Sequence, residues 1–387
     1  MINLFLFLEI FFLSFALFLT PAVFAAPYPQ SDYITNISWD FPNLVTLAPG
    51  SDIWPVTWAS DDNLYTAWGD GIGFGAVDFN EQWSSPQRAS LGFSRLSGGP
   101  TNFTAVNVWG GKNRLNKPTF CGKSGSMISV DGVLYAWVGS WFNNTSNNEF
   151  QCPSNPSTPE EWLAWSNDLG QSWTQSSWKV VQSPGNFTFG GFLNFGKDNA
   201  GAFDSNVYLY GSKAGDAKNT YLARVPKINL KDNPAQSTAY WYFAGPDGSG
   251  NPVWASSNSQ SKPVFTDPNG GSISVIYNAP LKRYLATEVH GPDFYTGGDE
   301  YPMKNFGLFE APSPWGPWST IAYHTNWGGY SMANPGEGVM IPTKWISPDG
   351  KTIWAIFSWP DAFNMVKGTI TSTAATPPTT KNTLIKR

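Results

Sequence analysis

The sequence predicts an all-β fold, a five-bladed β-propeller, and three observations predict it. Aromatic residues make up 16% of the 387 residues, with 20 Trp, while charged residues reach only 13%. Gly (38) and Pro (31) are spread along the chain, which suits many short strands and turns and argues against long helices. A unit of about 60–70 residues recurs, with an inner strand, a tight turn and a Tyr/Trp-rich second strand, as in blades around a channel. Six blades is the alternative if the loops of blade four hide another. A two-sheet sandwich is the rival outside the propellers.

Residues 1–25 stand apart. Positions 4–19 are almost wholly apolar, with Glu9 and Ser14 the exceptions, and Val23-Phe24-Ala25 offers small residues for cleavage. This predicts a secretory signal cut after Ala25, with an uncleaved anchor as the alternative because no Lys or Arg precedes the apolar run. Sequons at Asn36, Asn102, Asn143, Asn144 and Asn186 fit a secreted, extracellular glycoprotein. Cys121 and Cys152, the two cysteines, would be oxidised there and are expected to form one disulfide. A net charge of −5 without a basic cluster gives no footprint for nucleic acid or for anionic membranes. No later segment approaches the ~20 apolar residues of a membrane span.

The body of the fold is expected over residues 26–370. Ile34–Trp39 reads as a strand that completes the sheet to which the C-terminal part contributes, a device that closes a ring. Blade one is organised by the stretch 51–70, where strands 54–59 and 63–68 flank a turn at Ser60-Asp61-Asp62, with 91–96 outside them. Asp52 precedes the first strand and Asp70 follows the second, so both fall at one end of the sheet. Blade two takes 123–129, 133–138 and 162–166, and blade three takes 189–195, 206–210 and 221–225. Blade four takes 262–265, 272–277, 283–288 and 306–310, and blade five takes 338–342, 352–357 and 365–370. The Thr-, Ala- and Pro-rich tail, 371–387, cannot pack a core and is expected to be disordered.

Some motifs carry a resemblance. Ser166-Asn-Asp168-Leu-Gly170-Gln-Ser-Trp173 matches the Asp box, a structural turn of sialidase-like propellers in which Asp accepts backbone bonds and Trp packs under the next strand. Pro314-Trp-Gly-Pro-Trp318 resembles an element of five-bladed glycosidases such as glycoside hydrolase family 43. The Trp-Pro-x-Thr-Trp-Ala-x-Asp-Asp segment from Trp54, Phe195-Gly-Lys-Asp198, Asp267-Pro-Asn269 and Thr287-Glu288 resemble the uncharacterised domain family numbered 4185. That resemblance covers most of residues 34–370. It implies a secreted, carbohydrate-active propeller of the sialidase and arabinanase kind, some relatives being endo-acting arabinan hydrolases. The acid, base and modulating carboxylates of family 43 do not align residue by residue, so those roles are not carried over.

The residues themselves point the same way. His290 and His324 are the only histidines, which excludes a three-His zinc site, and no P-loop, nucleophile elbow or dinucleotide fingerprint is present. What remains is carboxylates near strand ends among aromatics, the equipment of glycoside hydrolysis. Asp52 is the candidate base or nucleophile, the alternative being a turn cap. Glu288 ends an apolar strand beside His290, where burial would raise its pKa as a general acid requires, the alternative being a rim ion pair. Asp70 and Asp267 are further candidates that equally suit their turns, and Glu337 is the reserve acid.

Lys123, Lys197, Asp198 and His290 could contact a sugar, and Trp54, Trp58 and Trp68 are stacking candidates, with Trp109 and Trp141 behind them. The expected partner is a poly- or oligosaccharide acted on by a monomer. No cofactor is required, and a structural calcium would suit clustered Asp and carbonyl oxygens, although no loop motif demands one. A lyase, with Tyr or His290 as base and Lys123 or Arg283 on a uronate, and a non-catalytic glycan-binding propeller are the rival functions.

Overall fold

A computed structural model describes residues 25–140, 149, 150, 152–291, 305–328 and 338–373. The signal segment before Ala25 and the tail after 373 lie outside them, as do Trp141, Asn143, Asn144 and Glu337. Five antiparallel sheets are arranged as the five blades of a propeller. No helix among the described residues is long and apolar enough to cross a membrane.

Blade one contains Val56–Trp58, Leu64–Gly69, Leu91–Ser97 and Thr104–Trp109, from the axis outwards. Lys123–Val130, Val133–Gly139 and Glu160–Ser166 build blade two, edged by two short strands. In blade three Phe187–Phe192, Asn206–Lys213, Asp216–Pro226, Trp241–Pro246 and Pro252–Ala255 follow one another. Blade four has Gly271–Asn278, Arg283–His290, Asn305–Ala311 and Ser319–His324. Val339–Met340, Thr352–Ser358 and Phe363–Ser372 form the inner part of blade five.

Ile34–Trp39 completes blade five, in register from Ile34 opposite Ser372 to Trp39 opposite Gly368, and Val45–Leu47 pairs farther along the same strand. The expected closure by the N-terminal strand is what the structure has. One boundary is corrected. Residues 262–265 do not open blade four: Pro263–Thr266 pairs with Asp216–Pro226 in blade three, held also by Lys262 N–H donating to Phe243 O at 2.8 Å.

Blades are buried on both faces, so their strands read as nearly continuous apolar runs, and all six residues of Leu64–Gly69 are buried. Apolar clusters fill the five seams between neighbouring blades. Each large apolar side chain buried there contributes about 1.5–3 kcal/mol. The Asp box works as expected at one of these seams. Ser172 N–H and Oγ both donate to Asp168, Ser166 Oγ accepts from Gly170 N–H, and Trp173 stacks on Phe93 of blade one at 3.8 Å.

The turns between first and second strands repeat one device. Asp61 receives Asn63 and the Tyr65 hydroxyl at 2.7–2.9 Å, and Asp204 receives Asn206 and Tyr208 at 2.8–2.9 Å in the same spacing. Those turns mark one end of the ring. The other end is where inner strands begin and second strands finish, and buried carboxyls gather there.

Candidate active site

The axis itself is narrow. Val56, Ser126, Gly190, Ser274 and Met340, from all five blades, line a cavity of about 20 Å³, room for about one water. A ligand larger than a water would therefore sit at a mouth of the channel.

At the mouth where inner strands begin, Asp52 and Gly69 exchange backbone bonds of 3.0 and 2.7 Å, which sets Asp52 beside Asp70. Lys123, the first residue of blade two's inner strand, places Nζ 3.0 Å from Asp52 Oδ2 and 2.8 Å from Asp70 Oδ2. A side chain at position 69 would displace Asp52, because a Cβ on Gly69 would lie 2.3 Å from Asp52 Oδ1 and 3.3 Å from the Lys123 stem. Asp70 itself sits at φ 39°, and Ile53 at φ 51°, a strained backbone for residues with side chains.

Arg88 is buried nearby and feels the charge of both carboxylates, and Asp361 of blade five adds a further negative charge. Burial raises the Asp52 carboxyl to about 6, Lys123 opposes that rise, and Asp70 adds to it. Asp52 thus ionises close to neutrality, with a cation already in place.

Blade four carries a second group. Asp267 opens the turn into Gly271–Asn278: its Oδ1 accepts from Asn269 N–H at 2.8 Å and its carbonyl accepts from Gly270 N–H at 2.9 Å. Its other carboxylate oxygen accepts from the Tyr323 hydroxyl at 2.7 Å, and Tyr323 in turn accepts from Asn269 Nδ2 at 2.9 Å.

Glu288, near the end of Arg283–His290, lies opposite Ile273 and Gly307 and is 2% exposed. Burial pushes its carboxyl well above the usual range, and the charge of Asp267 and a hydrogen bond to it push it further. Two donors fix the Asp267 carboxyl beside Glu288, and burial favours the protonated form of Glu288. His290, wholly buried, stacks on Tyr323 at 3.9 Å and 8°, and burial lowers it to about 4. Among the described residues neither ring nitrogen of His290 has a hydrogen-bond partner.

The structure thus brings Asp52, Asp70 and Lys123 together in one group, and Asp267, Glu288 and His290 in another. Both lie where inner strands begin. Glu337 falls outside the described residues. Other candidates are elsewhere. Lys197 lies 3.4 Å from Asp62, and Asp198 accepts from Ser129 Oγ at 2.6 Å and Gly132 N–H at 2.9 Å, all at the opposite end of the ring. Trp58 is also there, donating to Asp62 at 3.0 Å.

Trp54 and Trp68 are buried: Trp54 packs on Phe74 and Phe363 at 5.3 and 5.2 Å, and Trp68 donates to Ser94 at 2.9 Å, so neither offers a face to a sugar. Trp109 is likewise buried in the seam between blades one and two. Among the described residues no group of three or more His, Cys, Asp or Glu could hold a metal ion.

Sequence reasoning missed Arg88, Asp361, Tyr323 and Glu161. Glu161 is 5% exposed, accepts from Phe189 N–H at 2.9 Å, and is raised to about 8 by burial. It sits across Gly139 from Lys123 in the blade-two register. A signal existed for Asp361, which follows blade five's second strand as Asp70 follows blade one's. Cys121 and Cys152 form the expected disulfide, with a Cα–Cα distance of 5.6 Å, and tie the loop after blade two's second strand to this same end.

The fold is similar to those of several solved structures. A protein from Bacteroides ovatus, named a hydrolase by inference, is 12% identical with a TM-score of 0.49, over 85% of this chain and 87% of that one. A GH43_1 enzyme from Xanthomonas citri is 10% identical with a TM-score of 0.45, over 86% and 93%. The neuraminidase-like N11 protein of an influenza A virus from a flat-faced bat in Peru is 11% identical with a TM-score of 0.38, over 91% and 99%. No curated protein matches this sequence. Residues 50–366, a span that holds all five inner strands, match the family described as Domain of unknown function (DUF4185), and the chain belongs to that family.

Proposed function

We propose that the chain is a secreted glycoside hydrolase that cleaves an extracellular or cell-wall polysaccharide at the mouth where the inner strands begin. One observation carries the reading: at a single end of the ring, surroundings drive two carboxyl groups to opposite protonation states. Asp52 has Lys123 at 3.0 Å and ionises near 6, while Glu288 is buried against Asp267 and keeps its proton. Divergent carboxyls of this kind divide into base and acid. Glu288 donates its proton to the departing glycosidic oxygen. Asp52 attacks the anomeric carbon or takes a proton from the water that does. Asp267, held by Tyr323 and Asn269, keeps Glu288 protonated through its charge and hydrogen bond.

A glycan-binding propeller without catalysis is the second reading, and the closure of Lys123 on both Asp52 and Asp70 favours it, since the ammonium ties up the candidate base. The lyase arrangement has less support. Arg283 begins the strand that His290 ends, about 23 Å away at 3.3 Å per residue, and pairs with Glu310 at 2.9 Å.

The test is a polysaccharide panel incubated with the purified protein, Asp52→Asn and Glu288→Gln. New reducing ends without unsaturated products, lost in both variants, are expected. Unsaturated products would point to a lyase, and retention on a glycan column without cleavage would point to the binding module.

A further inference from the structure

The seam between blades five and one opens into a groove of about 560 Å³, within the ~300–1,000 Å³ typical of ligand pockets. Carbon lines much of it: Trp354 from blade five, Phe103 from blade one, and Leu47, which is 37% exposed. Asn43, Lys367 and Asn102 supply polar groups. Aromatic carbon bordered by hydrogen-bonding groups suits a pyranose, which presents C–H faces and hydroxyl edges.

Asn102 also begins a sequon, Asn102-Phe103-Thr104, in the turn between Leu91–Ser97 and Thr104–Trp109. Its Oδ1 accepts from Gly99 N–H at 3.0 Å. That bond engages the carbonyl oxygen and not the amide nitrogen, the atom that carries an N-linked glycan. The other described sequons differ. Asn186 Nδ2 donates to Val181 O at 3.0 Å, and Asn36 lies on the edge strand of blade five and does not line the groove.

We propose that this groove holds the first sugars of an N-linked glycan carried by Asn102, with N-acetylglucosamine packed on Phe103 and Trp354. In the attachment step the amide nitrogen forms a bond to the anomeric carbon of a lipid-diphosphate-linked oligosaccharide. The bond from that carbon to the diphosphate breaks, and the amide proton passes to the transferase's base. The proposal rests on the secretion reading and is independent of whether the chain cleaves sugar. The occupant is argued from its attachment point, which is itself part of the groove wall.

The test uses the full chain from a glycosylating secretory host and from a non-glycosylating one. Peptide mapping should find Asn102 occupied. An endoglycosidase acting on the folded protein should release that glycan about tenfold more slowly than the one on Asn36, a decade being a modest degree of protection. Asn102→Gln should lower Tm by about 2–4 °C, whereas Asn36→Gln should not. Leu47→Ser, with the sequon intact and the site at the surface, should bring the two release rates together.

A bare Asn102 beside an occupied Asn36 would overturn the proposal while leaving secretion standing. Equal release rates with no change in Tm would also overturn it. Sugar at none of the sequons would remove the secretion reading as well. Dimers of the unglycosylated chain that Leu47→Asp dissolves would show a second copy to be the occupant, and protection of the groove lost on deleting residues 374–387 would assign it to the tail; either result replaces the glycan.

Discussion

Lys123 Nζ lies 3.0 Å from Asp52 Oδ2, so the first residue of one blade's inner strand neutralises the acid that introduces another's. The same ammonium reaches Asp70 at 2.8 Å, and the side chains of all three residues are no more than 12% exposed. Lys123→Met would leave two buried carboxylates competing for Arg88. A loss of about 3–5 kcal/mol is expected, as for other broken buried pairs. Urea denaturation checks it, and adding Asp52→Asn should restore part of the loss.

Hydrolysis, under the proposed assignment, should depend on pH in a bell. Asp52 must be ionised, so kcat/KM should rise as pH passes about 6. Glu288 must be protonated, and its raised pKa places the falling limb on the alkaline side. Asp52→Asn should lower the rate by about 10²–10⁴-fold. With a substrate whose leaving group needs no proton, Glu288→Gln should retain activity and lose the alkaline limb. A rate indifferent to either carboxyl would refute the assignment.

Gly69→Ala tests the fit of the acid into its cradle. The new methyl would lie 2.3 Å from Asp52 Oδ1, so Asp52 must move. A large loss of activity with a smaller loss of stability, about 1–3 kcal/mol, is expected from calorimetry beside kinetics.

Glu161 should give the fold a pH dependence separate from catalysis. Its folded pKa is about 8 against an ordinary 4.5. Between those values the folded chain holds a proton that the unfolded chain releases, so stability falls as pH rises through the window and levels off above it. Glu161→Gln should flatten that slope and be the more stable protein at pH 9. Tm measured from pH 4 to 9 decides it.

The ring was legible because its signals are local. Trp and β-branched runs mark the strands, Asp-containing turns mark their ends, and Ile34–Trp39 reads as a strand outside the repeated units that closes the ring on the C-terminal sheet. Residues 262–265 were misplaced because their neighbour, Asp216–Pro226, lies some forty positions upstream, and nothing in their composition encodes that pairing.

The site was half legible for a related reason. Asp52 and Asp70 share an end whatever the rest of the fold does, since one hairpin sets them both. The end occupied by Lys197 and Asp198 depends on where the loop after blade three's inner strand folds. Trp54 and Trp68 look alike in sequence whether they stack on sugar or on Phe363. Arg88 and Tyr323 gave no motif, because a buried cation or hydroxyl is defined by neighbours from other blades.

The pairing of Ile34 with Ser372 also orders the life of the chain on the ribosome. Residues 34–39 emerge early, yet their hydrogen-bonding partners are made only after more than three hundred further residues. Ile34 and Ile37, both buried in the finished ring, have no partner strand of their own until then. Blades one to four can assemble as they appear, but as an open arc whose first and last edges face solvent. Sealing that arc is a long-range contact of the kind that forms slowly. The interval before it closes is when the nascent protein is most exposed to aggregation and most in need of protection.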